Sequence, residues 1–324
     1  MSRPIVAPAP PRSLRSRILG AHNIGLIAAF IAIVAAGSVL SPYFLTASNV
    51  LTILTTASVI GVISVGMTFV ILAGGIDLSV GAIVALAGVC ATTNGSQSLG
   101  WVPMVGICIA VSAAVGLLNG ALIAYGRLVP FIATLAMLVA ARGLAQHISG
   151  GVPQTVNDAT FNDIGSALVL GVPLPVWVFA AVVVVGWVVL NRTTFGRRTI
   201  AIGGNAEASR LAGINVARQT LLLYIISGVC AGIASVLLTA RLTSGSNDVG
   251  NLYELDAIAA VIIGGTRLTG GRGTLAGSIV GVLIFTLISN IFVLENLPSD
   301  IQSIAKGVII VAAVLLQGRS ASAK

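Results

Sequence analysis

Residues Leu72–Leu86 read LAGGIDLSVGAIVAL. Apolar sequence continues on both sides, from Val50 to about Ala91, and one acidic residue, Asp77, stands inside it, two positions after Gly74–Gly75. Runs of about 20 apolar residues are the length of membrane-spanning helices, whereas barrel strands are about 10 residues long and alternate in polarity. In a bilayer core each span must satisfy its own backbone hydrogen bonds, which such helices do. The stretch therefore reads as the turn between two membrane helices, with a carboxylate set into it.

Composition agrees. Hydrophobic residues make up 56% of the 324 residues and charged residues 8%, and the mean hydropathy is +1.06. A soluble domain carries about 25% charged residues, so this chain could not cover a water-facing surface. The fold class expected is an all-α integral membrane protein. The net charge of +8 does not indicate a nucleic-acid partner, because the basic residues form short clusters between apolar runs, the pattern of the positive-inside rule. Cys90, Cys108 and Cys230 all fall inside apolar runs with no metal-ligand spacing and read as small core residues. His22 and His147 stand alone near span ends and receive no role.

Ten spans are expected, near Ile24–Leu40, Val50–Leu72, Leu78–Thr93, Trp101–Tyr125, Pro130–Ile148, Pro175–Leu190, Thr220–Ala240, Ala257–Gly264, Thr274–Leu294 and Ile301–Leu316. The eighth is short and either starts inside NLYELDAIAAVIIGG or is a broken helix. With the N-terminus inside, alternation places Arg3, Arg12, Arg15, Arg17, Arg127, Arg192, Arg197, Arg198, Arg210, Arg218, Arg267, Arg272, Arg319 and Lys324 on the inner side, 14 of the 17 basic residues. Arg142, Arg241 and Lys306 lie within spans or at their edges. Seven of the nine acids, Asp158, Asp163, Asp248, Glu254, Asp256, Glu295 and Asp300, fall outside. This sorting supports ten spans with both termini cytoplasmic; eight spans, or a re-entrant segment, is the competing topology. Residues 1–20 read as a disordered basic tail, 21–317 as one transmembrane domain and 318–324 as a second tail.

In the Leu72–Leu86 turn, Gly74–Gly75 stop the second span, and two roles for Asp77 are open. It caps the following helix at the cytoplasmic boundary, accepting backbone N–H groups at the positive end of the dipole, with Ser79 as a second polar group in the first turn. Alternatively the turn lines or gates a substrate path, since ionisable groups at membrane depth are expensive and usually functional. Arg127 or Arg267 is the expected ionic partner. Thr68, Asn119 and Asn290 are further intramembrane polar groups for such a path.

The long inside loop NRTTFGRRTIAIGGNAEASRLAGINVARQ carries a second signal. After Gly203–Gly204, a short helix is expected from Asn205, a good N-cap, to Ala212, ending at Gly213. Glu207 and Arg210 share a face, and Ala208, Leu211 and Ala212 form a small apolar face. Such a helix needs a partner surface, either its own membrane domain or another protein.

Gly116 and Gly120, Gly228 and Gly232, and Gly277 and Gly281 have helix-packing spacing. VILAGGIDLSVGAIVALAG and AVIIGGTRLTGGRGTLAGSIVG are alike enough to raise an internal repeat, though the match is short. GGRGTLAG fits a dinucleotide fingerprint at Gly271, Gly273 and Ala276 but lies between spans rather than in a βαβ unit. GTRLTGGR has Gly271 where a P-loop needs lysine. No nucleophile–base pair or metal cluster is visible, so neither catalysis nor a cofactor is expected.

Three stretches carry a family resemblance: Gly74–Gly88, Gly196–Val216 and Leu255–Ile284, in order along residues 40–316. The chain resembles the membrane permease of ATP-binding cassette importers for monosaccharides of the ribose, xylose and galactose type. The resemblance implies a homodimer or paired permease in a bacterial inner membrane. It further implies a cytoplasmic ATPase subunit and a periplasmic or lipid-anchored sugar-binding protein. It makes residues 192–219 a coupling loop, with Gly204, Asn205, Glu207, Ala208, Arg210, Leu211, Ala212 and Gly213 docking on the ATPase. Ala206 and Ser209 depart mildly from the family pattern. Rival readings are a permease of the same class for a branched-chain amino acid, nucleoside or signalling furanosyl compound, an ion-coupled secondary transporter, and a structural membrane protein. The scarcity of buried acids argues against the ion-coupled form.

Overall fold

The computed structural model describes residues 21–322. The tail expected over residues 1–20 lies outside the described residues, as does Lys324. The chain opens with α1 (Ala21–Leu40), α2 (Ala47–Leu72), α3 (Val80–Ala91), the one-turn α4 (Asn94–Gln97), α5 (Trp101–Ala124) and α6 (Pro130–Ser149). A long connection then carries β1 (Gln154–Thr155), α7 (Ala159–Ser166), β2 (Leu168–Val169) and β3 (Val172–Pro173). After α8 (Leu174–Arg192) come α9 (Thr194–Gly204) and α10 (Ala206–Leu211), both within the expected inside loop. The remainder is α11 (Val216–Leu242), β4 (Ser244–Gly245), α12 (Tyr253–Ile263), α13 (Leu275–Leu294) and α14 (Ser299–Ser322).

Ten of these helices fall on the ten apolar runs read from the sequence. Six of the described helices, α2, α5, α6, α8, α11 and α13, are long and apolar enough to cross a membrane. The strands are minor: β1 pairs antiparallel with β4, and β2 with β3 through a turn at Leu170–Gly171.

The core is built on α2, α3 and α11. α2 is buried almost continuously from Ala57 to Leu72, and α3 along its length except Cys90. A helix that is apolar all round belongs inside other helices. The three glycine pairs lie at helix contacts, as their spacing implies. A Cβ on Gly116 would strike the Tyr224 carbonyl, and one on Gly228 the Ser112 carbonyl, so α5 and α11 touch backbone to backbone. Gly277 and Gly281 likewise face the carbonyls of Gly264 and Ala260, joining α13 to α12.

α3 and α12 have 12 and 11 residues. At about 1.5 Å per residue each is far shorter than the roughly 30 Å hydrocarbon core. They start side by side, since a Cβ on Gly81 would meet the Gly250 carbonyl and the Glu254 carboxylate. They then diverge. The far end of α3 lies against Gly245, ahead of α12, with a Cβ there meeting Thr92 Oγ1 and the Gly88 carbonyl. Beyond the far end of α12, Gly270 packs on Gly74, ahead of α3. The two are antiparallel half-helices, each preceded by an irregular segment, residues 73–79 and 246–252. The eighth apolar run does start inside NLYELDAIAAVIIGG, at Tyr253; that α3 is equally short was not expected.

Glu254 and Asp256 do not lie in an outer loop. They occupy the first turn of α12, only 6% and 2% exposed. Negative charge at a helix N-terminus is favourable, and Lys306 from α14 donates to both Asp256 oxygens at 3.2 and 3.0 Å. Buried acids are therefore not scarce, which removes the sequence argument against an ion-coupled mechanism.

Candidate functional site

The break between α2 and α3 begins at a helix end of ordinary design. Gly74 adopts φ +83°, and its N–H donates to the Ile71 carbonyl at 2.9 Å while Gly75 donates to Val70 at 3.0 Å. This is a left-handed C-terminal cap, for which glycine has no Cβ penalty. Gly75 also makes room for Tyr224, whose hydroxyl would lie 2.8 Å from a Cβ there. That hydroxyl donates to the Ile76 carbonyl at 3.0 Å. Irregular backbone buried among apolar helices persists only where its polar groups find partners, and Tyr224 of α11 supplies one for the Ile76 carbonyl.

Asp77 is fully buried. Its Oδ1 accepts the Ser79 backbone N–H at 3.0 Å and the Ser79 hydroxyl at 2.6 Å, and its Oδ2 accepts the Ser227 hydroxyl at 2.8 Å. Asn119 from α5 donates to Ser79 Oγ at 2.8 Å. Its own Oδ1 has no hydrogen-bond partner among the described residues. The expected roles need correction. Ser79, not Asp77, is the N-cap residue of α3, and Asp77 holds the Ser79 N–H from two residues upstream. Neither Arg127 nor Arg267 pairs with it; among the described residues the ion pairs are Glu207–Arg210 and Asp256–Lys306. Hydroxyl and backbone donors bond the carboxylate, and Asn119 reaches it through the Ser79 hydroxyl, tying α3, α5 and α11 together at one point.

The segment before α12 is held in a comparable way. Arg142, on α6, donates to the carbonyls of Asn247 and Val249. Thr68 and Asn290 belong to other contacts. Thr68 donates to the Ser64 carbonyl at 2.6 Å and to Ser278 Oγ at 2.9 Å, linking α2 to α13. Asn290 forms a reciprocal amide pair with Asn49 at 2.8 and 3.0 Å. Asp77, Ser79 and Asn119 are therefore brought together, and Thr68 and Asn290 are not.

α10 has the boundaries its sequence implies. Asn205 Oδ1 accepts the Ala208 N–H at 2.9 Å, Ala212 is the C-cap, and Gly213 takes φ +82°. Glu207 and Arg210 form an ion pair at 2.6 Å. Ala208, Leu211 and Ala212 are exposed, Leu211 at 82%. The rest of the chain buries Ser209 of this helix but leaves these three side chains uncovered.

The end of α9 connects α10 to the break. A Cβ on Gly203 would strike the Leu72 carbonyl and the Gly271 N–H. The Gly271 N–H itself donates to the Leu72 carbonyl at 2.9 Å. A Cβ on Gly270 would fall 2.7 Å from Gly74 N and 2.9 Å from Gly203 Cα. Three Gly-Gly pairs, at 74–75, 203–204 and 270–271, thus meet in one backbone junction. The two stretches that resembled a repeat are in direct contact there.

Residues 49–314 match the family described as branched-chain amino acid transport system / permease component. The chain belongs to this permease family. The ribose import permease protein RbsC of Bacillus subtilis is 42% identical over 289 residues, 88% of this chain and 89% of that protein. RbsC of Haemophilus influenzae is 39% identical over 291 residues, 89% and 90% of the two chains. The L-arabinose ABC transporter permease protein AraH of Azospirillum brasilense is 37% identical over 294 residues, 91% and 87%. No solved structure matches. The permease match starts inside α2 and ends inside α14, so it includes the Asp77 break, the glycine junction and α10.

Sequence reasoning missed Ser227, Tyr224, Arg142, Glu254, Asp256 and Lys306 as parts of these assemblies. Arg142 and Lys306 carried a usable signal, since charges inside spans seek partners. Ser227 and Tyr224 carried none: a hydroxyl in an apolar helix marks no particular face.

Proposed function

We propose that this permease is the membrane subunit of a sugar importer of the ATP-binding cassette class, with ATP hydrolysed by a separate cytoplasmic subunit. The observation that carries the reading is α10: a capped helix with Leu211 82% exposed, displayed by its own chain and left uncovered. An apolar side chain in that position suits a groove on a partner. The cargo class comes from relatives named for ribose and L-arabinose.

The topology that goes with this role has ten membrane crossings and both termini inside. α3 and α12 each cross together with the irregular segment before them. Residues 21–317 form a single permease domain, paired with a second permease copy in the bacterial inner membrane. The sugar-binding protein docks on the opposite face, where Asp158, Asp163 and Asp248 lie.

In the mechanism, closure of the ATPase moves α10. The motion passes through Gly203 to the backbone at Leu72 and Gly74, one turn from Asp77. The break can shift only by stretching the hydrogen bonds of Asp77 to Ser227 and of Tyr224 to Ile76. The permease contributes geometry and no covalent step.

One observation favours a second reading, an ion-coupled carrier: Asp77, Glu254 and Asp256 are all buried carboxylates. Uptake of labelled ribose or arabinose separates the two. ATP depletion abolishes uptake under the cassette reading, with an ionophore of little effect. The reverse pattern would establish the ion-coupled carrier instead.

A further inference from the structure

Between the start of α9, the end of α10 and the start of α11 lies a cavity of about 290 Å³. Arg198 and Arg218 line it from opposite helices. Neither guanidinium makes an ion pair with a described carboxylate. None of the lining residues is acidic.

The walls are fixed. Gln219 donates to the Phe195 carbonyl at 3.0 Å and to Thr199 Oγ1 at 2.9 Å, joining α11 to α9. Asn215 is occupied in capping α11, accepting the Arg218 N–H at 2.9 Å. Thr194 and Phe195 belong to the first turn of α9, so both helices also present positive N-terminal ends here. The cavity is open to solvent on one side and both arginines are exposed; two guanidiniums without a carboxylate partner at its walls suit a phosphate, which arginine binds through two parallel N–H donors.

The source of the phosphate follows from the remaining walls. Leu222 and Phe195 are apolar, and Leu222 lies in the apolar run of α11. At the neighbouring end of α8, the Arg192 guanidinium sits 5.3 Å over the Trp187 ring, an arrangement suited to the membrane–water boundary. We propose that this cavity binds the phosphate of an anionic phospholipid of the inner leaflet through Arg198 and Arg218. The bound headgroup bridges α9 and α11 and so steadies α10 between them. Placing the cavity at the inner leaflet rests on the orientation proposed above.

The test uses the full-length chain purified in a neutral detergent. Melting curves are recorded while phosphatidylglycerol, phosphatidylcholine or inorganic phosphate is added. Phosphatidylglycerol is expected to raise the melting midpoint of the wild-type protein and of Arg127→Gln, an inner-side control. In the Arg198→Gln/Arg218→Gln double variant the same rise should need about tenfold more lipid, given the loss of two solvent-exposed charge contacts. The lipid-free curve reports whether the variant is folded. If it is not, native mass spectrometry of the wild type should retain one phosphatidylglycerol per chain and no phosphatidylcholine. An equal response in the folded double variant, or equal retention of phosphatidylcholine, would overturn the proposal. A rise with inorganic phosphate that disappears in the double variant would assign the cavity to a free anion and overturn the lipid assignment.

Discussion

Asp77 is a carboxylate whose neighbours are hydroxyl and backbone donors rather than arginines, and that choice has consequences for substitution. Asp77→Ala leaves Ser79 and Ser227 without their buried acceptor, at about 1–3 kcal/mol for each orphaned donor. Asp77→Asn keeps an acceptor for the Ser79 N–H and can donate to Ser227 Oγ. Detergent melting curves should therefore rank wild type, then Asn, then Ala, with the larger drop at Ala. Equal melting of all three would show that the network does not hold the break. Gly74→Ala is also expected to melt lower, because φ +83° costs an L-residue about 1–2 kcal/mol. Asp77 and the glycines were legible because a charge and a Gly-Gly pair stand out in apolar sequence. Their partners were not. Ser227 and Tyr224 are 150 and 148 positions from the groups they bond, and only the packing of α11 against the break brings them there.

Among the elements, α10 was read to within a residue, because capping by Asn205 and termination at Gly213 are local chemistry. The half-helix character of α3 was not, because it depends on where neighbouring helices satisfy residues 73–79. The glycine junction makes a claim about how α10 acts. Gly203→Ala puts a methyl into the Leu72–Gly271 hydrogen bond, an overpacking of about 1–3 kcal/mol. Sugar-stimulated ATP hydrolysis by the assembled importer should fall sharply in this variant while α10 still docks. Undiminished stimulation would remove Gly203 from the path. Glu207→Lys tests the docking face itself. The Glu207–Arg210 pair is exposed and worth little to stability, so the variant should insert and melt normally yet lose stimulated hydrolysis. Normal stimulation would count against α10 as the coupling helix.

At the scale of the whole molecule, the order of helices followed from apolar runs, and the glycine pairs marked their contacts. Counting Glu254 and Asp256 as outer-loop acids failed because sequence alternation cannot distinguish a loop from an irregular segment folded into the protein. Lys306 joins the last helix to that buried region through Asp256. Lys306→Met leaves Asp256 buried and unpaired, a cost of about 3–5 kcal/mol. Lys306→Met combined with Asp256→Leu should recover most of the lost melting temperature, and failure to recover would mean that the pair is not the contact that matters. The central claim is that this permease displays α10 to a separate ATPase. The most direct measurement isolates tagged wild-type and Leu211→Asp chains in mild detergent from cells that also express the partner subunits, with bound proteins quantified by mass spectrometry. The account predicts a stoichiometric P-loop ATPase on the wild type and its loss from Leu211→Asp at unchanged melting temperature. A wild-type chain that carries no ATPase, or equal retention by both, would contradict it.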